Sequence, residues 1–164
     1  MVKLVLYKDE KDLAIKLIKG FWFCHNQIKQ TDSEAEEDLN FWTSDKHRFY
    51  FITYFNDYVG FIHLGSRGCN IDWLEDIFVI PEYQGKGIGS QAIYLVEEIV
   101  KEYSVSLYIE AAARNEAAIR LYRKLGFDCL NTITIRKDFP SYKYEVIKNE
   151  KIYGLDFEIR KTKK

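Results

Sequence analysis

Cysteine, proline and methionine are scarce in this chain of 164 residues, which has 3 cysteines, 2 prolines and 1 methionine. Cys24, Cys69 and Cys129 lie far apart in the chain, so they match neither a zinc-binding spacing nor a disulfide framework. We therefore expect a protein of the reducing cytoplasm. Since the length suits one domain and no linker rich in glycine and serine interrupts the chain, we expect a single domain over residues 1–164.

An excess of charge of one sign and long apolar runs are also lacking. The formal net charge is −1, whereas binding to phosphate backbones needs a positive surface, so we expect no nucleic-acid partner. No apolar run reaches the roughly 18 residues of a membrane span, and no signal sequence opens the chain, so we expect no membrane partner. The hydrophobic share of 47% and the charged share of 30% exclude a wholly disordered chain.

The hydrophobic pattern predicts strands and helices in mixed order. The predicted strands cover residues 3–7, 49–55, 58–64, 73–80, 106–110, 128–136 and 151–160, and the predicted helices cover residues 12–24, 33–42, 88–99 and 115–125. Asn56 and Asp57 form the expected hairpin turn, and Ser33 with Glu36 forms the expected capping box. Strand 73–80 shows almost no alternation, which is typical of a strand buried on both faces. This order indicates a mixed α/β sheet.

The richest local motif is the glycine-rich segment QGKGIGS at residues 84–90, between strand 73–80 and an amphipathic helix. Three glycines in five residues allow a tight fold that exposes backbone N–H groups at a helix N-terminus, which suits a pyrophosphate. The segment fits neither the P-loop nor the dinucleotide-binding glycine pattern. A glycine-rich turn without a ligand is the alternative reading.

Two blocks together resemble the GNAT superfamily of N-acetyltransferases. Gln84-x-x-Gly87-x-Gly89 resembles the acetyl-CoA-binding motif Q/R-x-x-G-x-G/A, and NEAAIRLYRKLGF at residues 115–127 is similar to the family's second block. The family core would cover about residues 3–135, with C-terminal strands to about residue 160. The resemblance implies an α/β fold with a mixed, strongly twisted central sheet flanked by helices and splayed between its fourth and fifth strands.

The resemblance also implies how acetyl-CoA, the co-substrate, is bound. The main chain of residues 77–79 would pair with the pantetheine arm, and a backbone N–H near Phe78 would hold the oxyanion. The expected cofactor-binding residues are Ile77, Phe78, Val79, Gln84, Gly85, Lys86, Gly87, Ile88, Gly89, Ser90, Asn115, Ala118 and Tyr122. No metal is required. Tyr122 would protonate the departing thiolate, although packing within its helix is the alternative role.

The sequence also offers candidate bases. Because alkylamines have a pKa of about 10, acetyl transfer needs a group that takes the amine's proton. Glu75 and Asp76 interrupt an otherwise apolar strand, and adjacent strand residues face opposite sides, so at most one should face the acceptor. We expect Glu75 to be the base or amine anchor and Asp76 to support it, with salt bridges to basic partners as the alternative. His25, His47 and His63 show no metal-binding pattern, and we interpret His63 as structural.

The expected acceptor is a small cationic amine. Leu-Glu-Asp at residues 74–76 resembles polyamine, thialysine and amino-sugar acetyltransferases of the superfamily. An acidic cluster either attracts such an amine or only caps a helix; it comprises Asp32, Glu34, Glu36, Glu37 and Asp38. One alternative is a protein N-acetyltransferase of the ribosomal-protein type, which the second block also resembles. Another is a non-catalytic acyl-CoA-binding module. A homodimer through the C-terminal strands is a further expectation from the family.

Overall fold

The computed structural model describes residues 1–163, which form two compact units. The first unit is Met1–Glu110 and the second begins at Ala111. No helix within residues 1–163 is long and apolar enough to cross a membrane.

The first unit is built on a five-stranded mixed sheet. Its elements are β1 (Val2–Leu6), α1 (Lys11–Asn26), α2 (Asp32–Trp42), β2 (Arg48–Tyr54), β3 (Asp57–Gly65), β4 (Trp73–Val79), α3 (Ile88–Val100) and β5 (Tyr108–Ile109). The strand order is β1-β2-β3-β4-β5; the first four strands are antiparallel neighbours and β5 is parallel to β4. The predicted mixed α/β class is confirmed.

The β2–β3 hairpin turns one residue earlier than the sequence predicts. Phe55 and Asn56 occupy the turn with φ values of 49° and 73°, and β3 already begins at Asp57. Two consecutive residues with positive φ angles form a tight turn whose twist matches that of a hairpin. Asparagine adopts a positive φ more readily than most residues do, so Asn56 suits this turn. The prediction of Asn56–Asp57 was therefore wrong by one position.

The N-terminal cap of α2 also differs from the prediction. Thr31 is the N-cap: its Oγ accepts a hydrogen bond from the Glu34 N–H at 3.3 Å, and the Glu34 carboxylate accepts one from the Thr31 N–H at 2.7 Å. Residues 31–34 and 33–36 both fit the capping-box pattern, and the earlier pair forms. Glu36, the acid of the predicted box, is bound instead by Lys11 at 2.6 Å.

Helices cover the sheet on both faces. An aromatic cluster fills the space under α1 and α2; its largest members are Phe21, Trp42, Phe49, Phe51, Phe61 and Phe78. The alternate strand positions Ile52, Ile62 and Leu64 are also buried, and they point to the opposite face because side chains alternate along a strand. Helix α3 lies outside the aromatic cluster, buries its own apolar side and packs against β1 and β4. The sheet is thus the middle layer of three.

The pairing between β4 and β5 is short. Trp73 pairs with Tyr108 and Leu74 pairs with Ile109, and in the described residues the β5 pairing ends there. Strand β5 is therefore shorter than the predicted 106–110, whereas β4 continues to Val79. Residues 75–79 of β4 lack a β5 partner, which agrees with a sheet splayed between its fourth and fifth strands.

The second unit contains α4 (Glu116–Lys124) and a hairpin of β6 (Tyr144–Ile152) and β7 (Leu155–Thr162). Gly126, with φ of 98°, ends α4 as predicted. The predicted strand over residues 128–136 was wrong, since this segment is irregular and β6 follows it. A segment with an alternating pattern forms a strand only where another strand pairs with it. The Tyr153–Gly154 turn places β7 beside β6, so β6 is the strand that β7 pairs with, and residues 128–136 are not.

The close approach of β3 and β4 at Gly60 gives a test of this register. A Cβ at Gly60 would stand 2.0 Å from the carbonyl oxygen of Phe78, so the two backbones would have to separate. We expect Gly60→Ala to lower the free energy of unfolding by at least about 2 kcal/mol, measured by urea denaturation. Gly68→Ala is the control because its added Cβ meets no atom within 4 Å. Equal stabilities of the two variants would contradict the β3–β4 register.

Candidate active site

The glycine-rich segment forms the N-terminus of α3. Gly85 and Gly87 have φ values of 72° and 77°, a region that side chains rarely adopt, and Gly87 is the N-cap. No side chain caps this helix. Because the first N–H groups of a helix have no partner within it, those of Ile88, Gly89 and Ser90 are available to an anion.

Gln84 fixes the start of this loop to the end of β4. Its side-chain amide donates a hydrogen bond to the carbonyl of Val79 at 2.7 Å, after a single 3-10 turn over Pro81–Tyr83. The Lys86 ammonium lies 4.9 Å from the centre of the Tyr83 ring. The first unit therefore brings Ile77–Val79 and the loop together, and a free strand edge leads directly to a set of backbone donors.

Glu75 and Asp76 lie on the same face of the sheet, contrary to the expectation from alternation. The register with β3 shifts here, since His63 pairs with Asp76 and Leu64 pairs with Leu74, so that Glu75 is an extra residue. Asp76 contacts His63, and Glu75 lies over Gly65, two residues further on β3 and thus on the same face. This β-bulge is the physical reason for the difference.

Glu75 is held by an arginine. Arg67 donates to both carboxylate oxygens of Glu75, at 3.0 and 2.7 Å, and also reaches Glu110 at 2.5 Å. Its guanidinium lies 3.9 Å from the centre of the Trp73 ring, which itself stacks on Tyr108. The hydrogen bonds that Arg67 donates to Glu75 raise the pKa of Arg67, so the guanidinium stays charged. The paired arrangement that the sequence left as an alternative is the one observed for Glu75.

Asp76 is paired with a histidine, which continues to a second histidine. His63 Nδ1 lies 2.8 Å from Asp76 Oδ2, and His63 Nε2 lies 2.8 Å from His47 Nδ1. Sequence reasoning missed this chain of three groups. The register of the β2–β3 hairpin is the feature that would have predicted it. Because Phe49 pairs with His63, His47 lies diagonally beside His63 on the same face.

The acidic cluster of α2 has local partners. Asp32 binds Lys19 at 2.6 Å, and Asp38 accepts hydrogen bonds at 2.7 Å from both the Trp22 indole and the Gln30 side chain. Glu34 belongs to the capping box and Glu36 to the ion pair with Lys11. Of the five acids, Glu34 therefore caps the helix, and Asp32, Glu36 and Asp38 bind neighbouring side chains.

The second unit carries the remaining predicted residues. Asn115 is the N-cap of α4, and its side-chain oxygen accepts a hydrogen bond from the Ala118 N–H at 3.2 Å. Tyr122 is half-buried, and its ring lies 5.9 Å from that of Phe127. Burial raises the pKa of the Tyr122 phenol, so it keeps its proton at neutral pH. Within residues 1–163, no three His, Cys, Asp or Glu side chains are grouped as metal ligands.

The three-layer fold, the splayed strand pair and the glycine loop at a helix N-terminus define the class of acyl-CoA N-acyltransferases. The acetyltransferase (GNAT) family matches residues 15–127, and the chain belongs to this family. The fold and the acyltransferase class expected from the sequence are confirmed at the level of the family.

Curated relatives match the chain over part of their length. The thialysine N-epsilon-acetyltransferase of Sus scrofa is 37% identical over 86 residues, which are 52% of this chain and 48% of that protein. The [ribosomal protein bS18]-alanine N-acetyltransferase of Escherichia coli K12 is 40% identical over 67 residues, 40% of this chain and 43% of that protein. The chain thus spans about half the length of the curated relatives it matches.

Solved structures agree on the fold. A possible acetyltransferase from Clostridium difficile 630 has a TM-score of 0.66 at 18% identity, covering 90% of this chain and 99% of that chain. AAC(6')-Iy, solved in complex with a CoA bisubstrate analogue, has a TM-score of 0.64 at 19% identity, covering 85% of this chain and 99% of that chain.

The pair of Asp76 with the buried His63 leads to a stability prediction. His63 is 2% exposed, so removing the carboxylate of the half-buried Asp76 leaves the His63 ring N–H without its acceptor. We expect Asp76→Ala to lower the free energy of unfolding by about 1–3 kcal/mol at pH 7.5, and Asp76→Asn to cost less because the amide oxygen still accepts. Asp45→Ala, at an exposed position, is the control. Stability unchanged in Asp76→Ala would rule out a structural pair.

Proposed function

We propose that this protein transfers the acetyl group of acetyl-CoA to a primary amine. The observation that carries the proposal is the continuity of three features in the first unit: the carboxylates at Glu75 and Asp76, the unpartnered β4 edge, and the loop of backbone donors at residues 84–90. Along the chain, the carboxylates come first, the strand edge second and the loop third. This is the order in which the amine, the pantetheine arm and the pyrophosphate of the bound substrates would follow one another.

The residues present fit acetyl-CoA. The edge of Ile77–Val79 offers main-chain groups to the amides of pantetheine, and the loop offers N–H groups, the helix dipole and Lys86 to the phosphates. Both left-handed glycines keep the loop free of Cβ atoms on the backbone that meets the anion. Acetyl-CoA supplies the activated acetyl group; these residues bind and orient it.

The acceptor we propose is a small cationic amine, such as a polyamine, an aminoglycoside or a lysine-like amine. Around the bulge of β4, the carboxylates Glu75, Asp76 and Glu110 outnumber the guanidinium groups of Arg67 and Arg48, which leaves a formal charge of −1 with neutral histidines. This excess of negative charge attracts an ammonium group. Glu75 is the proposed anchor.

Tyr122 completes the proposed chemistry. The family resemblance assigns it to the thiolate that leaves when the amine attacks the thioester, and a phenol with a raised pKa is a proton donor at neutral pH. Asn115 is proposed to bond the pantetheine arm. An N-terminal peptide amine remains the second candidate acceptor, since the relative in Escherichia coli is named as a ribosomal-protein alanine N-acetyltransferase.

The loop assignment predicts the effect of a substitution at Gly87. A valine at φ of 77° is strained and would displace the backbone donors, so we expect Gly87→Val to weaken acetyl-CoA binding at least tenfold, about 1.4 kcal/mol, in calorimetry. Gly154→Val is a matched control, because Gly154 has φ of 80° in the β6–β7 turn and carries a similar strain. Unchanged affinity in a folded Gly87→Val protein would refute the loop as the pyrophosphate site.

The charge argument predicts a selective effect at Glu75. Glu75→Gln keeps the shape but removes one negative charge, so we expect kcat/KM to fall about tenfold for a diamine and less for an N-terminal peptide. The measurement is thiol release from acetyl-CoA over a panel of polyamines, aminoglycosides and peptides. Glu102→Gln is the control, since it removes an exposed carboxylate that lies outside this cluster. An equal loss for both kinds of acceptor would remove the support for a cationic small molecule.

A further inference from the structure

A chain of hydrogen bonds runs from Asp76 through His63 to His47. His63 is almost fully buried in β3, and each of its two ring nitrogens has one partner at 2.8 Å. His47 precedes β2 and is half-buried, and its ring lies 5.0 Å from that of His63 at an interplanar angle of 21°. The chain therefore connects a carboxylate at the bulge of β4 with an imidazole at the edge of the hairpin.

The order of donors and acceptors fixes both histidine tautomers. A carboxylate only accepts hydrogen bonds, so His63 carries its proton on Nδ1 and presents a lone pair at Nε2. That lone pair requires a donor, so His47 carries its proton on Nδ1 as well. The outer nitrogen, His47 Nε2, is then the atom of the chain that has a lone pair to offer.

Aromatic rings hold this chain in place. The Trp42 ring stacks on His63 at 4.9 Å and 15°, and the Phe41 ring lies 4.6 Å from His47. Rings packed in this way restrict the imidazoles to one orientation, and the surrounding apolar groups strengthen the hydrogen bonds between them.

Charged groups from three strands face His47. His63 lies on β3 and Glu75 on β4, with Arg67 bound to Glu75, while the Arg48 guanidinium at the start of β2 donates to the His47 carbonyl at 2.6 Å. Burial, and then the positive charge that His63 can carry, lower the pKa of His47, and Glu75 opposes this effect. A lowered pKa keeps the imidazole neutral, with its lone pair, at neutral pH.

Gly65 brings His47 and Glu75 to the same place. A Cβ at Gly65 would stand 2.9 Å from Glu75 Cγ and 3.4 Å from His47 Cε1, so the missing side chain makes room for both. Glu75 and the His47 ring therefore lie side by side at Gly65, and an ammonium group anchored by Glu75 would be next to the outer imidazole.

We propose that His47 Nε2 is the general base that takes the proton of the acceptor amine, with His63 and Asp76 as positioning residues. The proposal rests on the acetyl transfer proposed above. The ammonium gives one proton to His47 Nε2, and the neutral amine forms the C–N bond as the C–S bond breaks. The amine loses its second proton as the amide forms, and the departing thiolate takes up one proton, so the step balances. When His47 passes its Nδ1 proton to His63, the resulting imidazolium lies beside the Asp76 carboxylate.

The first test needs no turnover. Nitrogen-15 NMR of the histidines in the whole protein at pH 8 reports which ring nitrogen carries the proton. We expect His47 and His63 to be neutral and protonated on Nδ1, with Nε2 unprotonated. Exposed His25, which stacks on Phe21, is the internal reference outside the chain. A His47 protonated on Nε2 would overturn the proposal.

The second test separates catalysis from structure. We expect His47→Gln to lower kcat/KM by about 10²-fold or more, with acetyl-CoA affinity unchanged in calorimetry, and His25→Gln to behave as the unmodified protein. In His47→Ala, added imidazole should restore part of the activity. Wild-type turnover in His47→Gln would overturn the relay while leaving acetyl transfer intact. No acetylation of any amine by the unmodified protein would instead overturn the proposed function.

The pH profile tests the positioning role of Asp76. A carboxylate beside the imidazolium favours the protonated, inactive state of the relay, so Asp76→Asn should weaken that state. The ascending limb of kcat/KM should therefore move to lower pH while the plateau falls. At each pH, the kcat/KM of the variant is divided by the kcat/KM of the unmodified enzyme, because ionisation of the amine affects both equally and cancels in the ratio. A lower plateau with an unmoved limb would mean that Asp76 is only structural.

Discussion

The polar site depends on one extra residue in β4. Between the pairs His63–Asp76 and Leu64–Leu74, β4 has three residues where β3 has two, and the resulting bulge turns Glu75 onto the face of Asp76. Without it, one of these acids would point toward the α3 side of the sheet, where strand positions are apolar and buried. The bulge also lies where pairing with β5 stops, so the acids and the unpartnered strand edge are consecutive along the chain.

Two glycines of β3 permit this arrangement from the neighbouring strand. At Gly60 the backbone of β4 approaches so closely that a Cβ would overlap the Phe78 carbonyl, which holds the far end of β4 against β3. At Gly65 the same lack of a side chain leaves room for Glu75 and His47. The sheet thus changes over five residues from a tightly packed aromatic core to a polar cluster, while Trp42 contacts both regions.

The sequence predicts the parts of this site that depend on local chemistry. The glycine spacing at residues 84–90 and the Asn115 to Gly126 helix were identified because turn and cap conformations restrict which residues fit. That Glu75 and Asp76 share one face of the sheet was not predicted, because a bulge depends on pairing with another strand. Alternation along a single strand carries no information about that pairing. The contact between His47 and His63 was not predicted for the same reason, since the two residues lie 16 positions apart and meet through the hairpin register. The strand expected over residues 128–136 does not form, because neither of the two sheets in residues 1–163 includes this segment.

The proposed mechanism divides selection of the amine from removal of its proton. Both oxygens of Glu75 accept hydrogen bonds from Arg67, so this carboxylate contributes charge while its lone pairs are partly engaged. An unperturbed carboxylate titrates near 4.3, far from the pH at which a cationic amine must lose its proton, whereas an imidazole titrates within a few units of it. A base is most effective when its pKa lies near the working pH. In the proposed mechanism, His47 lies beside the anchoring Glu75 and is hydrogen-bonded to His63, which Asp76 holds, so His47 meets that requirement better than either acid alone.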